Sequence, residues 1–213
     1  MIVPIAIRRW LCVLLLFPSI LLAAPAGDAP SSGAEQPHLA VDVVDIVFEP
    51  RLSPRLERAA MKEVTRIWAM YGVDVAVLKA AGRGRDGAVT LTVKMVSGLD
   101  ERLVSGTLGL IRFRDGVPDS EIVMYPDAIA DLVSTTRFGT DDVFSPAAFR
   151  DLILGRVLGR ALAHEIGHFL LRSRVHSAGG LMRALQPATA LVAPDRRDFG
   201  LSPDEVIRLR HAS

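Results

Sequence analysis

Cysteine is almost missing from this chain: among 213 residues the sole one is Cys12. It lies in a segment that reads as a removable leader, so the mature chain carries no thiol. That excludes a disulfide framework, a thiolate metal ligand and a cysteine held against a metal to silence a precursor. An excess of charge of one sign is also lacking. Two of the 25 basic residues, Arg8 and Arg9, fall in residues 1–26, which hold no acid, leaving 23 basic against 24 acidic residues and a net charge of −1. Near-neutrality gives no electrostatic footprint for nucleic acid or for an anionic membrane surface.

Residues 1–26 read as a secretory signal peptide. Arg8 and Arg9 form a charged edge, Trp10 to Ala23 is an apolar run of the length of such a core, and Ala24-Pro25-Ala26 offers a small-x-small cleavage site. The run is short for a spanning helix, although retention as an anchor stays open. Export to the periplasm or the exterior is expected, with no stable membrane association once the leader is removed. Residues 27–37, GDAPSSGAEQP, have the composition of a flexible linker. Residues 38–213 then form one domain, enough chain to bury a substantial core.

The most informative stretch is ALAHEIGHFLLRSRVHSAGGLM, Ala161 to Met182. In a helix, His164 and His168 lie one turn apart on the same face and can grip one cation, with Glu165 beside them. The flanking residues Ala161, Leu162, Ala163, Ile166, Gly167, Phe169, Leu170 and Leu171 are those of a buried helix. Two imidazoles and a carboxylate buried in such company need partners, and a metal is the simplest. Zinc bound catalytically takes three protein ligands and keeps one position free, acidifies water, and leaves a nearby carboxylate to accept the proton. One Zn2+ per chain is expected, with Glu165 as the general base.

His176 is the nearest candidate for third ligand. Ser173, Val175 and Ser177 are weak helix formers, and Gly179-Gly180 punctuates the exit, so the intervening segment suits a helix end followed by a reversal. Asp195, Asp198, Glu205 and His211 are its rivals, with His211 expected to be solvated near the C-terminus. Met182 reads either as a support beneath the metal or as a plain core methionine.

These residues resemble the metzincin zinc metallopeptidases, whose pattern HExxHxxGxxH is followed by a methionine in a tight turn under the metal. HEIGH at 164–168, His176 and Met182 in Gly180-Leu181-Met182-Arg183 are its counterparts, with a spacing to the third histidine two residues longer. The resemblance implies an exported peptidase acting on protein or peptide substrates. It also implies that the antiparallel edge strand above the metal binds substrate by extending the sheet, here Leu108, Gly109, Leu110 and Ile111 and on to Phe113. An exposed edge could hold an extended peptide in this way; an ordinary protected strand is the other reading. Outside the family, the alternatives are a zincin with Glu205 or Asp198 as third ligand, and a secreted, non-catalytic binding domain stabilised by zinc.

Along the chain, strands are expected over His38–Glu49, Val73–Leu78, Ala88–Val96, Leu108–Phe113 and Glu121–Tyr125, with a turn from Arg114 to Asp119. Ser53-Pro54 opens a helix whose apolar stripe is Leu56, Ala60, Val64, Ile67 and Trp68, ended by Gly72. This order predicts an α/β (α+β) fold: a mixed, mostly parallel twisted sheet of about five strands, an N-terminal helix, a long zinc-binding helix and a short C-terminal helix. Asp141-Asp142 precede Ser145-Pro146 at the start of the long helix and read as complements of its dipole, not as a calcium site. Gly155, Gly159 and Gly167 predict a close approach to a neighbouring element. Arg156 and Arg160 share the face of His164 and can pair with acids below the site or meet a substrate carboxylate. Ala184–Arg197 is expected to be a loop able to wall a pocket, and Val206, Ile207 and Leu209 are expected to face inward from a final helix starting at Ser202-Pro203.

Overall fold

The computed structural model describes residues 43–78, 84–98, 106–136 and 147–212. The leader and linker readings, Asp141-Asp142 and Ser145-Pro146 lie outside these residues, as do the first residues of the first expected strand. The described part is a mixed α/β unit in the order β1 (Val43–Glu49), α1 (Pro54–Ala69), β2 (Asp74–Val77), β3 (Val89–Met95), β4 (Gly109–Arg114), β5 (Val117–Met124), α2 (Pro126–Thr135), α3 (Ala147–Leu170), α4 (Ala188–Val192) and α5 (Pro203–Ala212). The five strands make one sheet in the order β2-β1-β3-β5-β4. Every pair is parallel except β4 with β5, so β4 is an antiparallel edge. Among the described residues no helix is long and apolar enough to cross a membrane.

Local chemistry accounts for the elements. Ser53 caps α1 by accepting the Leu56 amide at 3.4 Å, Pro54 takes the first turn, and Gly72, with φ of 81°, turns the chain into β2. Along β1, Val44, Ile46 and Phe48 are buried in the core on one face. Asp45 points to the other face and is held there by the Nε of Arg85 at 2.6 Å and its backbone amide at 2.9 Å. Val75, Leu91, Val93, Ile122 and Met124 continue the same core layer, and α1 and α3 cover it with Val64, Ile67, Trp68, Val157, Leu162 and Ile166.

The β4–β5 connection is tighter than the sequence suggested. Arg114 still pairs with Val117, so the turn is only Asp115-Gly116, both with positive φ (50° and 83°), as a two-residue hairpin of type I′ requires. Pro118 sits in β5 ahead of Glu121, where β3 begins to pair, so its missing amide leaves the central ladder intact. Two helices were not expected: α2, after Tyr125, and α4, inside the stretch read as loop. Ile207 is a correction as well. It is 53% exposed, because α5 turns Glu205 and Leu209, one helical turn apart, toward the core.

The expected close approach of the glycines is found. A Cβ on Gly155 would lie 2.3 Å from the Ala59 Cβ, and one on Gly159 would lie 2.3 Å from the Ala60 carbonyl oxygen. Gly159→Ala gains about 1 kcal/mol of helix propensity, but backbone cannot step aside, and overpacking costs about 1–3 kcal/mol. The expected net result is a loss of stability of up to about 2 kcal/mol, read as a lower urea midpoint at unchanged slope.

Candidate metal centre

α3 carries His164, Glu165 and His168 on the turn that ends beneath β4. The helix stops at Leu170, and Arg172, with φ of 46°, reverses the chain so that the Ser173 carbonyl accepts Nδ1–H of His168 at 2.6 Å. The next residues bring His176 back over the helix. A second turn, Gly180 to Arg183, closes below: Gly180 has φ of 73°, and a side chain there would meet the Gly200 oxygen at 2.3 Å. The Leu181 carbonyl of this turn accepts Nδ1–H of His164 at 2.7 Å.

A carbonyl oxygen only accepts, so both rings carry their hydrogen on Nδ1 and present a bare Nε2 lone pair. These lone pairs converge. Nε2 of His168 lies 3.1 Å from Nε2 of His164 and 3.2 Å from Nε2 of His176. Burial holds His164 neutral, pushing it down to about 4 against the pull of the Leu181 carbonyl, and burial lowers His168 in the same direction. Facing lone pairs at such distances repel one another unless a cation lies between them. Three nitrogens about 2.0–2.1 Å from a tetrahedral centre are roughly 3.3–3.4 Å apart. Two of the three separations are close to that spacing and all three nitrogens lie within 4.8 Å of one another, so His164, His168 and His176 could hold a zinc-sized, nitrogen-preferring ion.

The other sequence candidates are placed as follows. Glu165 is 7% exposed and lines the same cleft; burial pushes its carboxyl up to about 8, against the backbone amide of Ile111, which holds it down. A divalent ion in front of it would reverse the direction of that shift. Met182 is buried under α3, where a Cβ on Gly167 would come within 2.4 Å of its sulfur. Glu205, fully buried, is not directed at the histidines. Ser177 Oγ donates to one of its oxygens and the Ser202 amide to the other at 2.7 Å, so it anchors the segment that carries His176. Asp195, whose carboxylate binds Arg197, and the exposed Asp198 and His211 stand outside the cluster.

No family model and no curated protein matches the chain.

Two depressions meet at the centre. A groove of about 520 Å³ runs along Gly109–Arg114 past Glu165, His168 and His176. An apolar cavity of about 510 Å³ opens beside it between Leu108, Leu132, Leu181, Leu191 and Phe199. The 184–197 stretch does wall this cavity, through Ala184, Leu185, Gln186, Ala188 and Leu191, partly as the helix α4. Arg160 has a structural role. It is 1% exposed, donates to Glu63 at 3.3 Å and to the carbonyls of Ala190 and Leu191 at 2.5 and 3.1 Å, and lies 4.4 Å from the Phe199 ring centroid. Arg156 donates to the Val192 carbonyl at 2.6 Å. The sequence reading missed Glu63, although a carboxylate three residues after Ala60 on the apolar stripe of α1 was the available signal.

Proposed function

We propose that the chain is a zinc-dependent peptidase of the metzincin type, exported from the cell that makes it. The observation that carries this reading is the convergence of three imidazole Nε2 atoms beside a buried carboxylate, at the foot of an unpaired strand edge. His164, His168 and His176 would hold zinc, which when bound would supply the Lewis acidity that acidifies water and polarises a carbonyl. Glu165 accepts the proton of the attacking water and returns it to the departing amine. Among the described residues no strand pairs with the outer edge of β4, and Gly109–Arg114 line the cleft with Glu165. An extended peptide could pair with that edge and be carried across Glu165 without reliance on a particular side chain. A closed structural zinc site takes four protein ligands, whereas the described residues supply three.

The test uses the purified chain and an unstructured protein substrate. Cleavage is expected with about one zinc per chain, to disappear on chelation and to return on zinc addition. A folded, zinc-loaded chain that cuts no peptide bond overturns the reading and leaves a zinc-stabilised binding domain. His176→Ala is expected to weaken zinc binding by about 10–100-fold or more, measured by competition with a chromophoric chelator. Unchanged affinity removes His176 from the ligand set.

A further inference from the structure

We infer that the cleft selects peptides bearing carboxylate side chains one to three residues from the cut bond, on the side lying along Ile111–Arg114. Arg112, Arg114 and Arg174 would receive them. The inference rests on the peptidase reading and adds a substrate class to it.

The lining charge is one-sided. Among the described residues, Glu165 is the only acid lining either depression, while Arg112, Arg114 and Arg174 line the groove and Arg160 and Arg183 the apolar cavity. Arg160 is committed to Glu63 and backbone carbonyls. The groove arginines are available. Arg112 is exposed and has no partner among the described residues. Arg114 meets Asp119 at 3.1 Å, but its side chain is 81% exposed, and a pair so solvated exchanges readily. Arg174 reaches across from the loop that carries His176, donates one Nη2 hydrogen to the Phe113 carbonyl at 3.0 Å, and lies 4.9 Å from the Phe113 ring centroid. That contact uses one of five guanidinium donors and pins the group across the end of the groove.

The position along a substrate follows from the strand. Glu165, His168 and His176 line the groove together with Gly109–Arg114, which sets the reacting bond against the Gly109–Ile111 end of that strand. At about 3.4 Å per residue, Arg112 to Arg114 lie roughly 3–10 Å further along. In the other direction the groove ends in the apolar cavity, so the two sides of the cut demand different residues. A guanidinium takes a carboxylate through two parallel hydrogen bonds, which favours an acid over its amide where a bare positive charge alone would discriminate less.

The experiment pairs two peptides that differ only in Glu against Gln at those positions. Binding is measured by fluorescence anisotropy on the zinc-loaded Glu165→Gln protein, and cleavage separately on the wild-type protein. The acidic peptide is expected to bind about five- to tenfold more tightly at low salt, with the ratio falling toward one in about 0.5 M salt. Arg112→Gln combined with Arg174→Gln is expected to bring the ratio down to about twofold or less, the remainder being due to Arg114. Should the double variant lose zinc, Arg112→Gln alone decides, being expected to reduce the ratio by at least half. Equal binding of the two peptides, or a preference untouched by these variants, overturns the inference. Cleavage reports on the parent reading independently: equal binding with both peptides cut sinks only the acidic preference, while selective binding with neither cut sinks only the peptidase.

Discussion

Replacing Glu165 by Gln is expected to lower peptide turnover by about 10²–10⁴-fold while about one zinc per chain remains bound. The amide fills the same space and can still accept the Ile111 amide, but it cannot take a proton from water at neutral pH. The loss should fall on kcat more than on KM, because the backbone edge that would hold the peptide is untouched. Turnover within a few-fold of the wild type would remove Glu165 from the chemistry.

The same variant has a signature without metal. In chelated protein the Glu165 carboxyl is pushed up to about 8, so between its ordinary value and pH 8 the native state holds a proton that the unfolded chain releases. The Glu165 contribution to stability then falls as pH rises through that window, while the depressed His164 and His168 act in the opposite direction below about pH 6.5, so the net fall is expected between about pH 6.5 and 8. Glu165→Gln removes the fall above about pH 6.5, leaving the histidine contribution, and the variant should melt no lower than the wild type at pH 7. The pH-dependent gap between the two should shrink once zinc is restored.

Glu63→Ala is expected to destabilise the fold by about 3–5 kcal/mol. Glu63 is 4% exposed and is shared between Arg160 Nε at 3.3 Å and Arg196 Nη2 at 2.6 Å. Burial already holds the Arg160 guanidinium below its ordinary value, with Glu63 opposing that shift, so truncating Glu63 strands a charge far from water. Against a total of about 5–15 kcal/mol this is a large share. Glu63→Gln retains an acceptor and should lose less. A loss under about 1 kcal/mol for the alanine variant, measured by urea unfolding, would mean that the backbone carbonyls and Phe199 suffice to hold Arg160. The effect should also reach the cleft, because Arg160 ties α3, one turn before His164, to the wall formed by residues 188–195.

What could be read from sequence, and what could not, divides along physical lines. The periodicity of β1, the Ser53-Pro54 start and the apolar flanks of HEIGH report local preference and burial, and the elements they predict are present. The glycines of α3 correctly announced tight contact, because a missing side chain in a helix interior is costly without one. α2 went unread, lying in a short segment with little periodicity. Ile207 is hydrophobic yet exposed, because the 100° step of α5 puts Glu205 and Leu209 on the buried face. The Glu63–Arg160–Arg196 network joins residues about a hundred or more apart in sequence, and no local pattern names such partners. His176 joins the other two histidines only through reversals at Arg172 and Gly180, backbone conformations that tertiary contacts select.

The anchoring of Ser177 by Glu205, together with the Gly200 carbonyl that receives the Leu181 amide at 2.7 Å, gives the tail of the domain a part in assembling its centre. A chain deprived of everything after Phe199 would keep both helix-borne imidazoles but lose the Gly200 and Glu205 contacts that help to steady the segment bearing the third. A clip just upstream of α5 would therefore loosen the segment that carries His176 without touching a single ligand.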